Sequence, residues 1–216
     1  MSRKILGIDE AGRGCVIGPM IIAGVLVEEE ALAQLRALGV KDSKQLSPAQ
    51  REELKAPILE VIQSYRLIKI APSEIDEYLA GARMNVLEAK KTAEIIQNYS
   101  PDIVYIDLPG RGARSYSRLL KEIVDPGIRI IAENFADRKY EVVSAASILA
   151  KLRRDEIIRE LHTKYGNFGS GYPLDEKTVA FLAKWYNEHG QFPEIVRKGW
   201  ETVQKMIRPQ QQKFDI

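Results

Sequence analysis

The sequence is poor in cysteine, in long apolar runs and in net charge, and the first two shortages each exclude a class of protein. The single cysteine, Cys15, cannot form an internal disulfide, so the chain is not a disulfide-stabilised scaffold. No apolar run reaches the roughly 18 residues that a membrane-spanning helix needs. The 32 basic and 30 acidic residues give a net charge of only +2, which neither requires nor excludes a polyanionic partner.

The remaining composition is typical of one globular domain. The chain has 216 residues, of which 45% are hydrophobic and 29% charged, enough for one sizeable core with at most a small helical annex. The first residues, MSRKILGIDE, lead directly into a strand-like run without an apolar signal segment. We therefore expect a cytoplasmic, monomeric protein that does not associate with membranes.

Apolar runs alternate with segments of helical periodicity along the chain. We predict strands at 4–8, 20–27, 65–71, 102–107 and 127–134, and helices at 28–38, 48–65, 72–80, 84–99, 114–124, 142–165, 175–188 and 199–207. The first two strands should form a hairpin with a tight glycine-rich turn, and Pro57 should kink or divide the second helix. This order predicts an α/β fold with a mixed sheet.

Acidic residues stand where several predicted strands end. Asp9 and Asp107 each end an apolar strand, and Asp137 lies between the last strand and the helix after it. The carboxyl ends of strands are where α/β sheets bind ligands, so these acids could share one site, with Glu10 as a fourth member. Clustered carboxylates repel one another unless a cation lies among them, and their oxygens favour Mg²⁺ or Mn²⁺ over zinc.

Two other interpretations of these acids and of the glycine-rich segment after Asp9 compete with a metal site: a turn or cap role for the aspartates, and dinucleotide binding. Taken singly, an Asp at a strand end is more often a turn or cap residue than a ligand. Asp9 and Glu10 can cooperate only if the chain leaves strand geometry there, which Gly12 and Gly14 permit. Dinucleotide binding is disfavoured, because DEAGRGCVIG lacks the G-x-G-x-x-G order and leads into a strand.

Several motifs in a fixed order resemble one known family, type 2 ribonuclease H, also called ribonuclease HII, and its archaeal branch in particular. The resemblance covers nearly the whole chain. It is carried by GIDEAGRG from Gly7, VIGPMIIAGV from Val16, KDSKQLS from Lys41, VYID ending at Asp107, ADRKYEVVSAASILAK from Ala136 and YGNFGSGYP from Tyr165. Cys15 stands where the family usually has proline, and Gly199 where we would expect serine.

The resemblance implies a fold, an activity and a set of residues. It implies a ribonuclease-H-like catalytic domain at 1–165, a C-terminal helical extension at 166–207 and a polar tail at 208–216. It implies cleavage of the RNA strand of RNA/DNA hybrids and cleavage at single ribonucleotides in duplex DNA. The residues that it implies are four metal-binding acids and several substrate-binding positions, namely Asp9, Glu10, Asp107 and Asp137, and then Gly12, Arg13, Gly14, Lys41, Lys44 and Tyr172.

Alternatives remain open at the level of the sequence. Another two-metal nuclease of the same fold, such as a junction resolvase, or a catalytically silent hybrid-binding module would share many of these features. Tyr172 could equally pack under the helical extension, and the basic residues Lys151, Arg153 and Arg154 could form a solvated helix face. The tail has Gln211 and Phe214 in the spacing that begins a sliding-clamp-binding peptide in some archaeal relatives, but it lacks the terminal aromatic pair, and a disordered tail is favoured.

Overall fold

The computed structural model of the chain describes residues 2–40, 46–79, 81, 83–108 and 113–211. The strands are β1 (Lys4–Ala11), β2 (Met20–Glu28), β3 (Ser64–Ile70), β4 (Ile103–Asp107) and β5 (Arg129–Glu133). The helices are α1 (Leu32–Ala37), α2 (Pro48–Val61), α3 (Pro72–Leu79), α4 (Met84–Tyr99), α5 (Ala113–Ile123), α6 (Glu141–Tyr165), α7 (Glu176–His189) and α8 (Glu201–Gln211). Short 3₁₀ turns lie at Glu29–Ala31 and Ala136–Arg138.

These strands form one mixed sheet in the order β3-β2-β1-β4-β5. Strand β1 pairs antiparallel with β2 and parallel with β4, and β4 pairs parallel with β5. The carboxyl ends of β1, β4 and β5 therefore meet at one edge of the sheet. The predicted mixed α/β sheet is confirmed.

The central strands are buried, and a small residue lets a helix approach β1 closely. Residues 5–8 of β1 and 20–27 of β2 are all buried, which explains why these strands read as continuous apolar runs. At Gly7 a Cβ atom would lie 2.4 Å from the backbone carbonyl carbon of Val142, at the start of α6. Only glycine allows this contact between sheet and helix.

The chain divides into two compact units. The first consists of Met1–Ala11, Ile21–Lys69 and Asn85–Arg153 and contains most of the sheet. The second consists of Gly12–Met20, Ile70–Met84 and Arg154–Ile216. Its core is formed by buried apolar residues, namely Val16, Ile17, Ile158, Phe168, Leu182, Phe192, Ile195, Val196 and Val203. The sequence-based boundaries at 165 and 207 stay a prediction.

The tight turn predicted between β1 and β2 is wrong. The two strands do pair antiparallel, but β1 ends at Ala11 and β2 begins only at Met20. The intervening backbone is held by distant residues, because Val16 N–H donates to the carbonyl of Gly171 and Gly18 N–H donates to that of Ile195. A long loop is stable here because these partners replace the hydrogen bonds of a tight turn.

Helix α2 begins as predicted but is not divided. Ser47 and Gln50 form a capping box at its start, with Pro48 in the first turn. Pro57 lies inside the continuous helix. The carbonyl that loses its N–H partner belongs to exposed Glu53, so water can replace that hydrogen bond. None of the helices in the described part of the chain is long and apolar enough to cross a membrane.

Candidate metal centre

Three aspartates converge at the carboxyl edge of the sheet. Asp9 on β1 and Asp107 at the end of β4 are brought together because β1 and β4 pair in parallel, with Ile8 opposite Ile106. Asp137 comes from the 3₁₀ turn that follows β5. One carboxylate oxygen from each aspartate lies within 4.8 Å of the other two. The structure therefore brings together three of the four acids that the sequence indicated.

Backbone and hydroxyl donors fix two of these carboxylates. Asp9 Oδ1 accepts a hydrogen bond from the N–H of Glu10 at 2.7 Å, and the Ser147 hydroxyl on α6 also donates to Asp9. Asp107 Oδ1 accepts from the N–H of Ala136 at 2.8 Å, which joins the end of β4 to the turn that carries Asp137. The oxygens are thus oriented by the fold itself.

The electrostatics of the cluster suit a divalent cation. Asp9 and Asp137 are almost completely buried, at 7% and 0% exposure. Burial raises the pKa of Asp9 to about 7, and the neighbouring charges of Asp107 and Asp137 add to the rise. A bound cation would favour the charged carboxylates and relieve their repulsion, and an all-oxygen ligand set fits Mg²⁺ or Mn²⁺.

Glu10 does not join this three-acid group. Strand β1 continues to Ala11, so Glu10 remains in regular ladder geometry opposite Ile22. Successive side chains of a strand face opposite sides, and Glu10 is half-buried next to buried Asp9. Burial raises the pKa of the Tyr116 hydroxyl above its usual range and the charges of Glu10, Glu88 and Asp9 add to the rise, so Glu10 lies within electrostatic range of the same region as Asp9.

The loop after Glu10 carries the Gly-Arg-Gly sequence, and its backbone carbonyls accept hydrogen bonds from one buried arginine, Arg197. Gly12 has φ +82°, a left-handed conformation that favours glycine. Arg197 is fully buried and donates from Nη2 to the Gly12 carbonyl at 2.7 Å, from Nη1 to the Arg13 carbonyl at 2.8 Å and from Nε to the Gly18 carbonyl at 3.0 Å. Burial lowers the pKa of Arg197 to about 10, so it keeps its charge at neutral pH.

Tyr172 lies beside this loop and is 41% exposed. A Cβ atom at Gly14 would be 4.0 Å from the Tyr172 ring, and the Tyr172 hydroxyl hydrogen-bonds the buried Cys15 thiol. Burial of the phenol group raises the pKa of Tyr172 to about 12. The structure brings Gly12, Arg13, Gly14 and Tyr172 together in one unit.

A second buried arginine supports the tyrosine. Arg154 is 5% exposed, its guanidinium lies 5.2 Å from the centroid of the Tyr172 ring, and Nη2 donates to the Ser170 carbonyl at 2.8 Å. The solvated-face interpretation is therefore wrong for Arg154. Sequence reasoning missed Arg197 altogether; the available signal was an arginine directly after the apolar pair of FPEIVR. Lys41 and Lys44 lie outside the described residues.

A mixed five-stranded sheet with three carboxylates at its carboxyl edge fits a metal-dependent hydrolase of the ribonuclease-H-like class. Comparison with known proteins gives the family. The sequence profile described as Ribonuclease HII matches residues 6–203. The chain belongs to the ribonuclease HII family and is a metal-dependent ribonuclease that acts on RNA/DNA hybrids.

Similar proteins cover nearly the whole chain. Ribonuclease HII of Pyrococcus abyssi is 44% identical over 205 residues, which span 94% of this chain and 91% of that protein. The crystal structure of ribonuclease H2 from Pyrococcus horikoshii OT3 matches with a TM-score of 0.86 at 42% identity, covering 97% of this chain and 99% of that one. A chain from the PCNA:RNase HII complex of Archaeoglobus fulgidus matches with a TM-score of 0.82 at 42% identity, covering 97% and 100%. These matches confirm the predicted fold class and family.

Proposed function

We propose that the protein also cuts at single ribonucleotides embedded in duplex DNA, and that it hydrolyses the phosphodiester by a two-metal mechanism. The observation that carries the proposal is the convergence of Asp9, Asp107 and Asp137, with one oxygen of each within 4.8 Å of the others. Glu10 keeps strand geometry and is not among the three converging acids, but it lies within electrostatic range of the same region as Asp9 and is proposed as the fourth ligand after its side chain turns toward the cluster. Mg²⁺ or Mn²⁺ would supply two effects when bound: a lower pKa for the attacking water and stabilisation of the leaving 3′ oxygen.

The protein's own groups orient and support this chemistry. Asp9 accepts hydrogen bonds from the Glu10 N–H and the Ser147 hydroxyl, so its carboxylate would already be oriented to hold a cation. Asp107 and Asp137 are linked through the Ala136 N–H, so the ligands from β4 and from the turn after β5 keep a constant spacing. Burial of Asp9 and Asp137 excludes bulk water from the ligand oxygens and strengthens their attraction for cations.

The Gly-Arg-Gly loop and Tyr172 are proposed to recognise the ribonucleotide. Gly14 is exposed and has no side chain, so a sugar can approach its backbone, where main-chain groups can hydrogen-bond the 2′-hydroxyl that distinguishes RNA from DNA. Gly12 is buried, and a Cβ atom there would lie 2.6 Å from the Arg154 side chain, so its proposed part is to give the loop the shape that presents Gly14. The half-buried Arg13 would contact the phosphate. The partly exposed Tyr172 ring would pack on the deoxyribose beyond the cut.

Cleavage of matched duplexes tests the proposal. The protein is incubated with a duplex that contains one ribonucleotide, with an all-RNA/DNA hybrid and with an all-DNA four-way junction, each with Mg²⁺, with Mn²⁺ or with EDTA. We expect metal-dependent cleavage of the first two substrates and none of the junction. Cleavage of the hybrid without cleavage at the single ribonucleotide would contradict the recognition part of the proposal. Cleavage of the junction would favour a resolvase, and tight binding without turnover would favour a silent module.

Three further proposals concern the protein's surroundings. We propose a cytoplasmic monomer, consistent with the lone buried Cys15. The Archaeoglobus fulgidus relative was solved with PCNA, so a sliding clamp is a candidate partner for the tail at 208–216. The end of that tail, residues 212–216, lies outside the described residues.

A further inference from the structure

Phe135 combines a strained backbone with an exposed aromatic ring. Its φ of +60° and ψ of +34° lie in the left-handed region, which bulky residues with a Cβ atom rarely adopt. Among the described residues, Ser100 is the only other non-glycine residue with a positive φ. The Phe135 ring is 57% exposed, so packing in the core does not explain why a large apolar side chain is kept at a strained position.

The strained residue begins the turn that carries a metal ligand. Phe135 precedes the 3₁₀ turn Ala136–Arg138, and its carbonyl accepts a hydrogen bond from the Arg138 N–H at 3.1 Å. The next residue, Ala136, donates its N–H to Asp107, and the one after it is Asp137. The Phe135 ring is therefore attached two residues before Asp137, at the start of the turn that carries this member of the carboxylate cluster.

A cation lies over the same ring. The Arg138 guanidinium is 5.1 Å from the Phe135 ring centroid, and both side chains are exposed. An apolar surface beside a positive charge matches the repeating chemistry of a nucleic-acid backbone, in which each sugar presents an apolar face and is followed by a phosphate.

We propose that Phe135 and Arg138 together contact the nucleic-acid strand next to the scissile phosphate, the ring on a sugar and the guanidinium on a phosphate. The inference rests on the proposed function, because it needs a strand to run across the metal centre. If the left-handed residue served only to shape the turn, asparagine would replace phenylalanine without loss, since asparagine tolerates this conformation better. The ring itself is therefore the feature to test.

Two variants separate the ring from the turn. Phe135→Asn keeps the turn and removes the ring, whereas Phe135→Tyr keeps an aromatic surface. Ser100→Gly is the matched control, because it relieves a positive φ at the turn after α4, outside the metal cluster. For each variant, Tm is measured together with KM and kcat on the single-ribonucleotide duplex.

We expect Phe135→Asn to keep or slightly raise the wild-type Tm and to raise KM about tenfold with little change in kcat, the effect typical of losing one aromatic contact to a nucleotide. Phe135→Tyr and Ser100→Gly should keep KM within about twofold of wild type. Arg138→Gln should lower the slope of log KM against log salt by roughly one, as expected for one lost phosphate contact.

An unchanged KM for Phe135→Asn, in a preparation whose wild type cuts the duplex, would overturn this inference and leave the proposed function intact. A fall in Tm of more than about 5 °C would also overturn it, because the ring would then serve the stability of the folded structure rather than contact with the substrate. A wild-type protein that cuts no ribonucleotide substrate would instead refute the proposed function, and this contact with it.

Discussion

At the scale of single residues, one guanidinium holds the loop proposed to read the 2′-hydroxyl. Every hydrogen bond described for Arg197 goes to a backbone carbonyl, at Gly12, Arg13 and Gly18. Lysine keeps the charge but cannot reach three carbonyls in this forked arrangement. Arg197→Lys should therefore leave carbonyls unpaired, cost about 3 kcal/mol of stability and lower kcat/KM on the single-ribonucleotide duplex at least tenfold at temperatures where it is folded.

The control for Arg197→Lys must lose stability without touching the loop. Val203→Ala removes two fully buried methyl groups from the apolar core of the second unit and should cost about 2 kcal/mol. Both variants are assayed at the same number of degrees below their own Tm. If both keep wild-type kcat and KM, Arg197 contributes to stability only. Added guanidinium ion at low millimolar concentration should partly restore an Arg197→Ala variant only if the guanidinium group positions the loop.

Tyr172 allows the ring and the hydroxyl to be tested separately. Tyr172→Ala should strongly reduce cleavage at a single ribonucleotide, and Tyr172→Phe should lose one hydrogen bond, on the order of 1 kcal/mol in transition-state stabilisation. Because the ring is 41% exposed, both variants should keep Tm within a few degrees of wild type. Wild-type rates for Tyr172→Ala would remove this residue from the proposed recognition site.

At the scale of secondary-structure elements, helix α5 presents a basic groove beside the end of β4. The groove has a volume of about 500 Å³ and is lined by Leu108, Arg114, Ser117, Arg118, Lys121 and Glu122. Leu108 directly follows Asp107, and the three cations lie on one helix face. Arg118→Gln should lower the salt slope of log KM by about 0.9 if one phosphate is bound there.

Lys184 on α7 provides a matched control for Arg118. It pairs with Glu188 at i,i+4, as Arg118 pairs with Glu122, and the two cations are similarly exposed, at 76% and 83%. Lys184→Gln should leave the salt slope unchanged. Equal slopes for both variants would show that α5 makes no phosphate contact at Arg118.

The start of α7 is held by an acid that also fixes the Tyr172 loop. Asp175 caps the helix by accepting from Lys177 N–H, and its other oxygen accepts from the N–H and hydroxyl of Ser170. These bonds lower the pKa of Asp175 to about 2, so its contribution to stability is present above its ordinary pKa of 3.8 and is lost as pH falls toward 2. Asp175→Ala should lower Tm by a few degrees at pH 7, and the difference from wild type should shrink as pH falls through 2, as followed by circular dichroism.

Local signals in the sequence predicted the helices and strands well, but they did not predict contacts between segments that are far apart in the sequence. Helix α4 has the predicted limits, and Ser47 and Pro48 begin α2 as expected, because capping and periodicity are local. Asp9, Asp107 and Asp137 could be grouped because parallel strands end at one edge. The path of residues 12–19 and the role of Arg197 could not be predicted, because both depend on contacts between segments far apart in the sequence.

At the scale of the whole molecule, metal binding should be coupled to stability. Metal at about 100 times its Kd adds roughly 2.7 kcal/mol, which raises Tm by about 5 to 10 °C for a chain of this size. Asp9→Asn should lose most of this rise and nearly all cleavage, yet melt no lower than wild type without metal, because one buried negative charge has been removed. Differential scanning calorimetry with and without Mn²⁺ measures both effects.

Asp125→Asn serves as the control for the metal experiment, since Asp125 is an exposed turn residue that accepts from Gly127 N–H. It should keep both the metal-dependent rise in Tm and the activity. A full Mn²⁺ response in Asp9→Asn would mean that the cation binds elsewhere.

The bond from Arg197 to the Arg13 carbonyl joins positions 184 residues apart. During synthesis, the ribosome makes the Gly-Arg-Gly loop about 184 residues before the arginine that holds it. A nascent or prematurely terminated chain can therefore contain all four acids of the proposed metal site while its recognition loop still lacks its support. Since a contact of such long sequence separation is costly to close, the loop should be among the last parts of the protein to become ordered during folding. Selectivity for ribonucleotides would then be acquired only after the segment that carries Arg197 has been made.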